Sequence, residues 1–208
     1  FYSIALSNPD SPELISIDCS ETLIFSKNYL QLISGQSRII SSLESKSSRL
    51  IMIDSNSVLN SNAEMLFMFY SDSLEHLSFS QNVLRSTNFM QACISINTKE
   101  ARGNFILDGN LFTNINLVVA PSKNQEESFG FISIYVGNSI EEKSKLMIWN
   151  NKFLEAFSNY MTVTPQTAKL HYFSIQSCQP IKFKNLTFNN GHLSAKGSLI
   201  RVVNSPSL

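Results

Sequence analysis

Short runs in which apolar and polar positions alternate recur along the chain. They read "ISI" at Ile15, "RII" at Arg38, "LFMF" at Leu66, "ISI" at Ile94, "ISI" at Ile132, "FSI" at Phe173 and "IRV" at Ile200. A period of two predicts short strands with one face buried, and Ile, Phe and Val suit such a pleated surface. Helical spacing of apolar residues is hard to find. The run "EMLFMFY" from Glu64 to Tyr70 resembles a helical turn in composition, but its shortness and its place in the recurrence favour strand.

A second element follows these strands: an apolar residue, two others, an Asn, then an apolar residue two positions on. It reads "FSKNYL" at Phe25, "IDSNSV" at Ile53, "FSQNVL" at Phe79, "LDGNLF" at Leu107 and "IWNNKF" at Ile148, with a sixth copy, "FKNLTF" at Phe183, that carries Leu186 in the Asn slot. Asn28, Asn56, Asn82 and Asn110 are 28, 26 and 28 residues apart, a regularity that composition alone does not produce. Units of about 27 residues, each strand, turn, strand, Asn turn, cannot close a core singly but bury a continuous apolar column when stacked. The expected fold is therefore all-β: a parallel β-helix (β-solenoid) of about six to seven coils. A β-sandwich also contains many short strands and is the alternative, but leaves the recurrent Asn unexplained.

The whole chain, 1–208, reads as a single β-helix segment of a longer chain or of an end-to-end filament, because neither end carries an evident cap. Where the spacing stretches, the surplus predicts loop insertions near 120–128, 138–145 and 158–169. The expected role of Asn28, Asn56, Asn82, Asn110 and Asn151 is structural. Asn tolerates left-handed backbone and bonds its own turn, and one Asn per coil in one slot stacks into a ladder of amides at about 4.8 Å per step.

These FxxN repeats, "FSKN" and "FSQN" with the relaxed forms "IDSN", "LDGN" and "IWNN", resemble those of polymorphic outer membrane proteins and related pectin-lyase-like right-handed parallel β-helices. The resemblance spans about Ile15 to Val203. It implies an extracellular or cell-surface module, elongated, used in adhesion, surface layers or polysaccharide contact, whose partners are further copies or flanking segments of the same rod, or glycans. It also implies that chemistry must be tested, because that fold includes polysaccharide lyases and hydrolases. The lyases use calcium held by several carboxylates together with an Arg base.

Composition narrows the partners further. Sixteen acidic residues balance sixteen basic ones, so no basic surplus neutralises a phosphate backbone, and nucleic acid is not an expected ligand. Charged residues are only 15% of the chain, leaving uncharged polar side chains, which tolerate stacking on copies of themselves. Cys19, Cys93 and Cys178 lie far apart with no CxxC pair, which predicts buried thiols and neither a zinc site nor a disulfide framework. No cofactor is expected. No apolar run reaches the roughly 18–20 residues that span a bilayer as a helix.

No residue set converges on catalysis. The position after the inward apolar residue runs Ser26, Asp54, Ser80, Asp108, Trp149, Lys184. Asp54 and Asp108 fall two coils apart, about 9.6 Å at about 4.8 Å per step, too far for one metal ion and at the upper edge of the separation in inverting glycosidases. No Arg or His joins that column. Asp54, Asp108 and the single Trp149 are candidate glycan contacts, with solvated turn residues and a covered indole as the plainer reading. His76, His171 and His192 are scattered. Asn185, in "NLT", is the one N-glycosylation acceptor and faces outward in this frame. A structural or adhesive surface rod is thus the first reading, a polysaccharide-binding or polysaccharide-degrading β-helix the second, and an intracellular scaffold the third.

Overall fold

The computed structural model describes residues 13–17, 21–31, 38–45, 47–119, 128–139, 144–160, 169–177, 179–193 and 198–203. Every regular element among them is a strand: β1 (Glu13–Ile17), β2 (Thr22–Ser26), β3 (Tyr29–Gln31), β4 (Arg38–Ser45), β5 (Ser48–Asp54), β6 (Ser57–Leu59), β7 (Asn62–Ser80), β8 (Val83–Ala101) and β9 (Phe105–Asp108), followed by β10 (Leu111–Val119), β11 (Ser128–Ser139), β12 (Leu146–Trp149), β13 (Lys152–Tyr160), β14 (Lys169–Ser177), β15 (Ile181–Lys184), β16 (Thr187–Asn189), β17 (His192–Leu193) and β18 (Ser198–Val203). All the pairings are parallel, in curled sheets. A β-sandwich is built from antiparallel sheets, so the alternative drawn from the sequence does not describe this chain.

Three stacks of strands account for most of the pairings, and a shorter run past the second turn aligns Asn62, Asn88, Asn116, Phe157 and His192. In the first, Ile15, Ile40, Phe67, Ile94, Ile132, Phe173 and Ile200 are successive register partners. The second aligns Phe25, Ile53, Phe79, Leu107, Ile148 and Phe183. The third aligns Leu30, Val58, Leu84, Phe112, Phe153 and Phe188. The 19-residue strands β7 and β8 bend to serve more than one stack.

Alternation decides what fills the interior. β9 and β12 each read buried, half-buried, buried, half-buried, so Phe105, Leu107, Leu146 and Ile148 point inward and are fully buried. Aromatic rings continue the stacking inside. Phe112 and Phe153 lie 4.5 Å apart and nearly parallel, and Phe188 lies 5.5 Å beyond Phe153. Burial fades at the last level, where Phe183, Leu199 and Val202 are exposed.

Two corners join the stacks, and the positive-φ residues among those described fall in them. One set is Lys27, Ser55, Gln81, Gly109, Asn150 and Asn185; the other is Asn60, Ser86, Asn114, Glu155 and Asn190. Each set occupies one position per level, two residues after an inward side chain. The left-handed residue at the first corner is therefore the one before the ladder Asn, not the Asn itself. Gly109 adopts that conformation freely and Asn tolerates it; other L side chains there cost roughly 1–2 kcal/mol.

The cores of the three predicted loop stretches, 120–127, 140–143 and 161–168, lie outside the described residues, and their edges at Ser128, Asn138 and Lys169 are strand. Cys93 is buried and free, with its thiol pushed well up by burial; Cys19 and Cys178 lie outside the described residues.

Candidate functional site

A chain turning at a left-handed residue loses register with the backbone of the next level for one residue, the Asn that follows. The left-handed residues still donate to carbonyls of the next level, as Ser55 N does to Ser80 O at 3.0 Å, and the residues after the Asn pair normally, as Val83 N does to Asn56 O at 2.8 Å. The Asn amides bridge the break between them. Asn28 N donates to Asn56 Oδ1, Asn56 N to Asn82 Oδ1, Asn82 N to Asn110 Oδ1 and Asn110 N to Asn151 Oδ1, at 3.0–3.1 Å.

The same four Oδ1 atoms accept the preceding Asn Nδ2 at 2.8–3.0 Å. The other Nδ2 hydrogens reach the inward residue of the previous level: Asn56 to Phe25 O, Asn82 to Ile53 O, Asn110 to Phe79 O and Asn151 to Leu107 O, at 2.8–3.0 Å. Asn56, Asn82, Asn110 and Asn151 are 1% exposed or less. A side chain that both donates and accepts at fixed reach is required: Asp has no donor, Leu neither function, and Gln is one methylene too long.

The ladder stops at Asn151, because Leu186 in the next slot offers no side-chain oxygen. Leu186→Asn should extend it, supplying an acceptor for Asn151 and a donor for Ile148 O. Set against the lost packing of a half-buried Leu, a net gain of about 1 kcal/mol is expected. Denaturant titration would register this as a higher midpoint with an unchanged slope.

Outside this corner run the residues singled out as glycan contacts. Ser26, Asp54, Ser80, Asp108, Trp149 and Lys184 are successive register partners. Asp54 and Asp108 are two levels apart with Ser80 between them. Ser80 Oγ and Ser55 Oγ donate to Asp54 at 2.9 and 3.0 Å; Asn150 Nδ2 donates to Asp108 Oδ1 at 2.7 Å, and Asn185 Nδ2 to Asn150 Oδ1 at 3.0 Å. Both carboxylates and the Trp149 indole are half-buried, while Asn185 is exposed. Among the described residues no group of three or more His, Cys, Asp or Glu gathers as a metal site.

The histidines do not join this face as a group: His76 and His192 are exposed, and His171 is buried with Nδ1 2.8 Å from Ser198 Oγ. A cavity of about 350 Å³ opens at the last level, lined by Tyr172, Phe188, Asn190, Gly191, His192 and Leu199. The Tyr172 hydroxyl donates to Ala156 O at 3.0 Å, and burial raises its pKa. Sequence reasoning missed the second corner, although Asn60, Ser86, Asn114 and Asn190 share a polar residue two positions after an inward apolar one. It placed Lys184 next to Trp149 but missed Lys182 and Lys145, which join them only through register.

Comparison of the chain with protein-family models, with curated proteins and with solved structures finds no match.

Proposed function

We propose that this chain is a parallel β-solenoid of about six to seven coils, with FxxN repeats like those of pectin-lyase-like β-helices, and that it serves as a structural or adhesive module at a cell surface. The observation that carries the reading is the amide ladder. It bonds five consecutive levels through buried side chains and makes the stack a stiff column that presents regular outer faces. Stiffness and repetition are what a surface rod requires, and the partners in this reading are further copies or flanking segments that continue the column. Antibody labelling of intact cells of the source organism tests it. Labelling that protease shaving removes is the expected result; labelling only after permeabilisation would overturn the surface assignment and favour an internal scaffold.

A second reading is favoured by one observation, the shared column of Asp54, Asp108 and Trp149 on one outer face. In it the face contacts a glycan, with the indole as a platform for a sugar ring and the carboxylates as acceptors for its hydroxyls. Binding to a glycan array that disappears in Trp149→Ala and Asp108→Asn would support it; binding unchanged in both would remove it.

A further inference from the structure

Leu146 and Ile148 are fully buried, so alternation puts Met147 and Trp149 on the outer side of β12, with Lys145 just before them. On β15 the outer residues are Lys182 and Lys184. Register sets Met147 beside Lys182 and Trp149 beside Lys184, and on the other flank Trp149 beside Asp108. Lys182 and Lys184 are exposed and Lys145 half-buried. The ion pairs among the described residues lie elsewhere, at Lys99–Asp72 and Arg102–Glu100. The level of the indole and the next thus carry three ammonium groups, and the level before it one carboxylate, on a chain whose total charge is zero.

We infer that this patch of β12 and β15 binds a sulfated glycan. The inference rests on the second reading above and names its ligand class. The indole takes the C–H face of a sugar ring, the lysines pair with sulfate oxygens, and Asp108, held by Asn150, accepts a hydroxyl hydrogen. Charge density selects sulfate. Strands lie about 4.8 Å apart and alternate residues on a strand about 6.6 Å apart, so the backbone positions of Lys182 and Lys184 are about 6.6 Å apart, with Lys145 about 8 Å from the first and about 14 Å from the second, and the three cations spread over two to three successive sugars. Matching them takes an anionic group on each of successive rings, which a sulfated glycan supplies. The same column continues into Asp108 and Asp54, which repel any polyanion lying along the stack, so the ligand is a short sulfated segment held across β12 and β15, not a long polyanion of either kind.

The test is titration of the full chain with a heparin-derived hexasaccharide, its fully desulfated counterpart and a single-stranded oligonucleotide of equal charge. The expected result is binding of the sulfated sugar that weakens with salt and falls about tenfold or more in the Lys182→Gln/Lys184→Gln double variant, and similarly in Trp149→Ala. The lysine variant changes only exposed side chains, so it stands as the test even if Trp149→Ala fails to fold. No binding of the sulfated sugar, or binding unchanged in the lysine variant, overturns the inference, as does equal affinity for the oligonucleotide. Equal affinity for the desulfated sugar, lost in Trp149→Ala, sinks the sulfate assignment while leaving glycan contact in place.

Discussion

Asn82→Leu is expected to lower stability by about 3–5 kcal/mol, at the severe end for a single substitution. The Asn82 amide makes four bonds: it accepts from Asn56 N and Asn56 Nδ2, and donates to Ile53 O and Asn110 Oδ1. Leu fills the space but leaves two buried donors of Asn56 unpaired and takes one donor from the Ile53 carbonyl, and each orphaned donor costs about 1–3 kcal/mol. Two controls separate bonding from shape. Asn82→Asp keeps the volume yet replaces the Nδ2 donor with an acceptor facing Ile53 O and Asn110 Oδ1, so it should destabilise at least as much at neutral pH. Asn28→Ala should cost only about 1 kcal/mol, because Asn28 is half-buried and its amide donates to Asn56 Oδ1 and Ser26 O alone. Denaturant titration of the three variants checks the order, and equal, small losses in all three would remove the ladder from any account of stability.

Phe153→Ala should cost about 3–5 kcal/mol. Phe153 is fully buried and stands where the aromatic rings meet, stacked on Phe112 and Phe188 and edge-on to Tyr172 at 5.1 Å and Phe173 at 5.4 Å. Removing it leaves a cavity bounded by rings on several levels, which cannot collapse without shifting strands held in register. Phe183→Ala is the matched control, since Phe183 is 37% exposed at the last level and should lose about 1 kcal/mol or less. A thermal or denaturant midpoint that falls equally for both would mean that the aromatic column contributes nothing beyond surface burial.

The stacking order was legible because two independent patterns share one period. Alternation identifies Phe67, Ile94, Ile132 and Phe173 as inward, and the apolar-x-x-Asn frame identifies Phe25, Ile53, Phe79, Leu107 and Ile148. Register partners in the folded chain follow both frames. The ladder positions were readable for a related reason: a buried slot needing one donor and one acceptor at short reach admits few residue types. Spacing hid none of this, although the interval between Asn110 and Asn151 is 41 residues.

What the sequence concealed has no residue-type signature. The left-handed slot is filled by Lys27, Ser55, Gln81, Gly109, Asn150 and Asn185, chemically unlike residues whose conformation is imposed by the bonding around them. Of the lysines near Trp149, Lys184 falls in the column read from the sequence, whereas Lys145 and Lys182 stand 37 positions apart and are gathered by the pairing of β12 with β15.

Residue-resolved hydrogen exchange tests the central claim, that buried amides stitch the levels together, most directly. In the folded state the backbone amides of Asn56, Asn82 and Asn110, and their side-chain Nδ2 hydrogens, should exchange only through unfolding of the stack, at the slow limit set by global stability. The exposed Asn185 side chain should exchange quickly. Fast exchange at Asn82, comparable with that at Asn185, would contradict the ladder and with it the account of what holds this chain in its stacked form.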